Sequence, residues 1–115
     1  LEAETTLSSL AGAGHVLVGA DISNPADAVA LMDTVLDELG GVDVLVNNAA
    51  VNKPHPPATT NYPDWVAAWQ HHIGVNLLAT ANLSHLAATR MITLRTPRPR
   101  PRRMHWASPR TIVKV

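Results

Sequence analysis

The 115 residues contain no cysteine, a single tyrosine, and no acidic residue after Asp64. Without cysteine there is neither a disulfide framework nor a thiolate metal site, which is permissive of a cytoplasmic location. No apolar run approaches the roughly 18 to 20 residues needed to span a bilayer. The opening LEAETTLSSL holds acids and no basic n-region, so it does not read as a signal peptide. It reads instead as the end of a helix whose start lies upstream. The missing acids of the last quarter mark a boundary. Residues 1–89 hold all nine acids and one base, Lys53, whereas residues 90–115 hold eight bases. The zero net charge is therefore an average of two unlike halves, with the change near Arg90.

What is present up to that boundary reads as alternating strands and helices. HVLVGAD (His15–Asp21) is a short Val-rich run stopped by an acid, the pattern of a strand buried on both faces. Asn24, Pro25 and Asp27 then supply a cap, a first-turn proline and a first-turn acid. Val29, Met32, Leu36 and Leu39 form an apolar face, and Gly40-Gly41 ends the helix. VDVLV (Val42–Val46) is the second strand. Strand, helix and strand in this order make a βαβ unit with parallel strands. After a polar, Pro-rich loop, Asn61, Pro63 and Asp64 start a second helix. Its expected apolar face, Val66, Trp69, Ile73, Leu77, Leu83 and Ala87, runs to about Met91. From Pro97 to Pro101 every second residue is proline, which forbids helix. TIVKV at 111–115 reads as one more short strand.

The segment DVLVNNAAV resembles the strand-plus-NNAG motif of the short-chain dehydrogenase/reductase family, with Ala50 where the motif has glycine. Asp21-Ile22 closes the preceding strand as the family's adenine-contacting pair does. Trp65 is followed by VNL at Val75–Leu77 in the family's order. The resemblance covers residues 1–92. It implies a Rossmann-like, doubly wound α/β sheet that is incomplete, with third and fourth strands, two flanking helices and a candidate fifth strand at 111–115. The first and second strands are missing. It implies NAD or NADP as cofactor, a small-molecule alcohol or carbonyl as substrate, a cytoplasmic location and a homo-oligomer when complete. Asn76 inherits the catalytic relay role, and Asp21, Ile22, Asn47, Ala49 and Ala50 inherit cofactor contacts.

Physical chemistry supports the same residues. An Asp at the carboxyl end of a parallel strand lies on the edge where open α/β sheets bind ligands. Asn47, at the next strand end, offers two donors and an acceptor. Ala49 and Ala50 are small enough for a flat ligand to approach the backbone. Asn76 is a poor residue for mid-helix. Simpler roles compete with each of these: a turn residue for Asp21, turn chemistry for Asn47-Asn48, and a solvent-facing side chain for Asn76.

The family's Gly-rich phosphate loop, its catalytic Ser and its Tyr-x-x-x-Lys pair have no counterpart. Gly12-Ala13-Gly14 precedes a strand rather than following one, and the only tyrosine, Tyr62, has Val66 four residues on. The expectation is an internal fragment of an oxidoreductase, inactive by itself and at best a very weak cofactor binder. The alternative is a non-catalytic nucleotide-binding remnant or an interaction protein with a basic tail. In the family's strand order the third and fourth strands lie apart, separated by the missing two at about 14 Å. Their edges are expected to find water or other partners.

Residues 93–110 read either as a basic Pro/Arg-rich insertion or as a departure from the family near Arg90, such as a frame or gene-model artefact. Nucleic-acid binding by this segment is the weaker reading against a solvated tail. No metal site is expected, since no two histidines stand four apart on a helix.

Overall fold

The computed structural model describes residues 2–94 and 112–115. Most of the basic segment expected at 93–110 thus lies outside the described residues.

Helix α1 spans Glu2–Ser9. Helix α2, Pro25–Leu39, starts where the local chemistry requires. The Asn24 side chain accepts from the Ala26 N–H, Pro25 occupies the first turn, and Asp27 places its charge at the positive helix end. Gly40 ends the helix at φ 75°, a left-handed conformation that glycine adopts without a Cβ penalty. Strand β1, Val44–Val46, follows. Helix α3, Tyr62–Ile73, is capped by Asn61, whose side chain accepts from the Asp64 N–H. It continues through one π turn, Gly74–Ala79, into α4, Thr80–Thr93. Strand β2 is Ile112–Lys114.

The sheet has two strands, and their pairing is parallel, with Val44 opposite Ile112, Leu45 opposite Val113 and Val46 opposite Lys114. Ile112–Lys114, from the run read as a strand, therefore lies beside the strand that leads into NNAA. The run at 15–21, read from sequence as a strand, forms none. Val16 and Leu17 stay exposed, at 43% and 46%. The cause is the lack of a neighbour. A strand is stabilised by its partner's hydrogen bonds and side chains, and no described strand pairs with this run, although Val18 packs against the core.

The core joins α2, α4 and β2. Ala28, Leu31, Met32 and Val35 from α2 cluster with Val42, Leu83, Ala87 and Val113. Both expected helix faces need correction. On α2 the buried stripe is 28, 31, 32 and 35, with Leu36 and Leu39 only partly buried and Val29 exposed. The small Ala28, fully buried, belongs to the inward face that an all-large-residue reading passes over. On the long helix, Leu83 and Ala87 are buried as expected, but Trp69, Ile73 and Leu77 are 46%, 43% and 61% exposed. The buried positions are Val75, Ala79, Leu83 and Ala87, four apart along one stripe. The inward side turns there because the π turn resets the helical register between Ile73 and Thr80.

No helix among the described residues is long and apolar enough to cross a membrane.

With so few buried side chains, each carries a large share of the stability. Leu83→Ala removes a side chain that is 1% exposed and is expected to cost about 2–5 kcal/mol. Leu78→Ala, at a residue 54% exposed, is expected to change stability by less than about 0.5 kcal/mol. Paired urea melts followed by circular dichroism measure the difference, and equal shifts would contradict this core assignment.

Candidate functional site

Beyond β1 the chain leaves the sheet, and its backbone polar groups need partners elsewhere. Two sets supply them. At the end of β1, the Val115 N–H donates to the Val46 carbonyl, and the Val115 carbonyl accepts from Asn48 N–H and Ala49 N–H at 2.6 and 2.7 Å. The second set comes from the long helix. Asn47 donates through Nδ2 to Ser84 Oγ at 3.1 Å. Asn76 grips Val51 at both ends of the residue: Nδ2 donates to the Val51 carbonyl at 2.9 Å, and Oδ1 accepts from the Val51 N–H at 2.8 Å. His72 Nε2 accepts from the Lys53 N–H at 2.9 Å.

These helix residues form a pattern. His72, Asn76, Thr80 and Ser84 stand four apart, immediately beside the buried stripe of Val75, Ala79, Leu83 and Ala87. One stripe faces the core and its neighbour faces the 47–53 loop. Thr80 Oγ1 donates back to the Asn76 carbonyl at 3.3 Å, a long contact from the first residue of α4 into the π turn. A π turn interrupts the i→i+4 ladder, and such interruptions recur at functional sites. Asn76 lies inside this one.

Asp21 lies on the other side of the same helix. Its Oδ1 accepts from Ser23 N–H at 3.0 Å and from Ser23 Oγ–H at 2.6 Å. The Ser23 hydroxyl and amide hold the Asp21 carboxyl below the ordinary carboxylate range. Partial desolvation opposes them, and the nearby His71 adds a small lowering. The Asp21 backbone N–H donates to Asp27 Oδ2, which ties this turn to the start of α2. A Cβ built on Gly74 would stand 3.7 Å from the Ser23 Cβ, so the turn lies close to the π turn. Ile22 is half-buried against the core, while Asn47, Ala49 and Ala50 are exposed.

A cavity of about 430 Å³ opens between the 53–60 loop and α3, lined by Lys53, His55, Thr59, Thr60, His71 and His72 among others. The His55 ring contacts Trp65, Trp69 and His72, with centroids 5.0, 5.6 and 5.1 Å away. Among the described residues no three His, Cys, Asp or Glu side chains converge as a metal site would require.

The residues singled out from sequence thus fall into two groups on one helical support. Asn47 and Asn76 are tied to the helix and loop, and Asp21 is tied to its own turn. Sequence reading missed Ser84, Thr80 and His72. Their signal was the four-residue spacing of polar residues down the helix. The Val51 and Lys53 contacts are made by main chain, which leaves no side-chain signature.

The chain as a whole has counterparts among known proteins. A family model described as short chain dehydrogenase matches residues 2–98, and the chain belongs to that family. The short chain dehydrogenase/reductase dpchG of Colletotrichum higginsianum is 35% identical over 96 residues, which cover 82% of this chain and 35% of the relative. The cis-4-hydroxycyclohexanecarboxylate dehydrogenase of Sinomonas cyclohexanicum is 35% identical over 81 residues, covering 69% of this chain and 31% of the relative. Among solved structures, ligand-free aldohexose dehydrogenase from Thermoplasma acidophilum superposes with a TM-score of 0.60 at 29% identity, covering 76% of this chain and 32% of that one. The fold is the Rossmann-type α/β fold of these oxidoreductases. This chain spans about a third of the length of the relatives it matches.

The Asp21 turn gives a pH prediction. Its folded-state value lies below the unfolded one, so its contribution is complete above the unfolded value of about 3.9 and is lost as pH falls through the lowered folded value. Ser23→Ala is expected to move the Asp21 titration upward, read by carboxyl carbon NMR. A midpoint that stays in place would show that Ser23 is not the cause.

Proposed function

We propose that this chain carries the adenosine-side contacts and the relay asparagine of an NAD(P)-dependent oxidoreductase that interconverts an alcohol and a carbonyl. The observation that carries the reading is Asn76, held inside a π turn with its side chain fully engaged on Val51. With the amide engaged on Val51, the main-chain carbonyl of Asn76, which Thr80 Oγ1 meets at a loose 3.3 Å, is the group proposed to hold a water for proton transfer.

The residues present suit the adenosine half of a dinucleotide. Asp21 is exposed and ionised, and its Oδ1 is spent on Ser23. Oδ2 is then available to accept a hydrogen bond from an adenine amino group. Asn47 commits Nδ2 to Ser84 and keeps Oδ1 for a ribose hydroxyl. Ala49 and Ala50 are exposed and small, so a flat ring can approach that backbone. When bound, the nicotinamide group would supply or accept the hydride.

The proton donor is a different matter. Carbonyl reduction of this kind needs an acid whose pKa is lowered by a neighbouring cation. Within these 115 residues the one tyrosine, Tyr62, lies 78% exposed at the start of α3, with Val66 where a lysine would stand. Turnover by this chain alone is therefore not expected. The substrate class is a small alcohol or carbonyl compound, as the names of the cyclohexanecarboxylate and aldohexose dehydrogenases indicate for those relatives. Assembly of the whole protein as a homo-oligomer would cover the exposed Trp69, Ile73 and Leu77 side chains.

AMP titration followed by amide NMR tests the adenosine half directly. Saturable shifts are expected at Ile22 and at 47–50, with affinity in the millimolar range because the Gly-rich pyrophosphate loop is lacking. Asp21→Ala is expected to weaken binding about tenfold, the equivalent of one hydrogen bond to a charged group. Absence of shifts at these residues, or AMP affinity unchanged by Asp21→Ala, would overturn the assignment.

A further inference from the structure

We infer that His72 is a positioning residue: a second clamp on the loop that Asn76 grips, closed only while its imidazole is neutral. The inference rests on the role proposed for Asn76 and extends it to a residue one helical turn earlier. The geometry begins with spacing. His72 and Asn76 lie four residues apart on the helix, about 6 Å along its axis. Their loop partners, Lys53 and Val51, lie two residues apart, about 6.6 Å in extended chain. Lys53 precedes Pro54, which biases it towards that extended conformation. Helix and loop therefore meet in register, rung for rung, and the two clamps run antiparallel.

The hydrogen bonds fix the chemical state of the ring. Nδ1 lies 2.6 Å from the Ala68 carbonyl, which only accepts, so Nδ1 carries the proton. Nε2 receives the Lys53 N–H, so it must present a lone pair. Both contacts are satisfied only by the neutral Nδ1–H tautomer. A second proton on Nε2 would meet the Lys53 N–H head on. The bond would be lost and two donors would be opposed.

The surroundings favour release once that proton arrives. From the loop, Lys53 lines the same cavity, and the His55 ring stands 5.1 Å away with its Nδ1–H donated to the Lys53 carbonyl. On the helix itself, His71 lies 6.4 Å off. Two acids are near. Asp64 lines the cavity, but its carboxylate accepts from Asn61 Nδ2 while its N–H donates to Asn61 Oδ1, and Asp21 is held by Ser23 and faces His71. Neither is bonded to His72. The open cavity gives water, and hence protons, a route to the ring. The clamp holds while Nε2 presents its lone pair and opens when that atom carries a proton. Loss at Lys53 loosens Val51 two residues away, and with it the contact that holds Asn76.

Long-range nitrogen-proton NMR of the full 115-residue chain at pH 8 reads the ring state. His72 is expected to show the Nδ1–H tautomer, whereas free imidazole in water favours Nε2–H. Hydrogen exchange supplies the second readout. Protection of the Lys53 amide is expected to fall at least tenfold between pH 8 and pH 5 after correction for intrinsic rates, and protection of Val51 by a smaller factor. In His72→Gln the side-chain oxygen accepts at any pH, so protection at Lys53 should survive at pH 5. His72→Ala should lose it at both pH values. An Nε2–H or free-like averaged ring at position 72, pH-independent protection at Lys53, or a His72→Gln variant behaving as His72→Ala would each overturn the inference. The readouts involve no nucleotide. A failed AMP titration beside an intact Nδ1–H ring would therefore count against the proposed function and leave the clamp standing.

Discussion

The backbone between Asn47 and Lys53 runs beyond the sheet, and much of its position is set by polar side chains of a single helix. His72, Asn76 and Ser84 reach it from one stripe, with Thr80 between them. Each such bond is worth only about 1 kcal/mol net. Their value lies in register. Three contacts from a rigid element define where a loop lies far better than one stronger contact would. The candidate cofactor residues Asn47, Ala49 and Ala50 belong to this same stretch, so the shape of the ligand-facing edge follows from the helix.

The π turn makes this possible. On a regular α-helix, residues four apart drift sideways by about 40° per step, so a stripe from 72 to 84 would wind away from a straight loop. A turn closed by i→i+5 bonds holds more residues and takes back part of that drift. The same correction aligns the buried stripe of Val75, Ala79, Leu83 and Ala87 beside the polar one. One local irregularity thus serves both the core and the loop, and the residue of interest lies within it.

How far the sequence is legible follows from how local each determinant is. The starts of α2 and α3 could be read from Asn24-Pro25 and from Asn61 with Pro63 and Asp64, and Gly40 marked a helix end, because caps depend on a few adjacent residues. The strand expected at 15–21 failed for the opposite reason, since its stability would come from neighbours the described chain does not provide. The apolar face assigned to Trp69, Ile73 and Leu77 failed because helical spacing was extrapolated through a π turn that no residue pattern announces. In the candidate site, Asn76 stood out as a poor helix former. Its partner could not, because Val51 takes part through its peptide groups alone.

The pairing of β1 with β2 joins residues near 44 to residues near 112. Closing so long an interval costs chain entropy before any strand hydrogen bond is gained, and the cost grows with the logarithm of the interval. The helices, whose own hydrogen bonds are local, form without that delay, and the interval between Met32 and Leu83 is shorter than the one the strands close. On these grounds α2 and the long helix are expected to form early and pack through the cluster that holds Met32 and Leu83, with the strand pairing expected to follow. The sheet, usually the first thing named in a fold of this class, is by this entropy the last element expected to form.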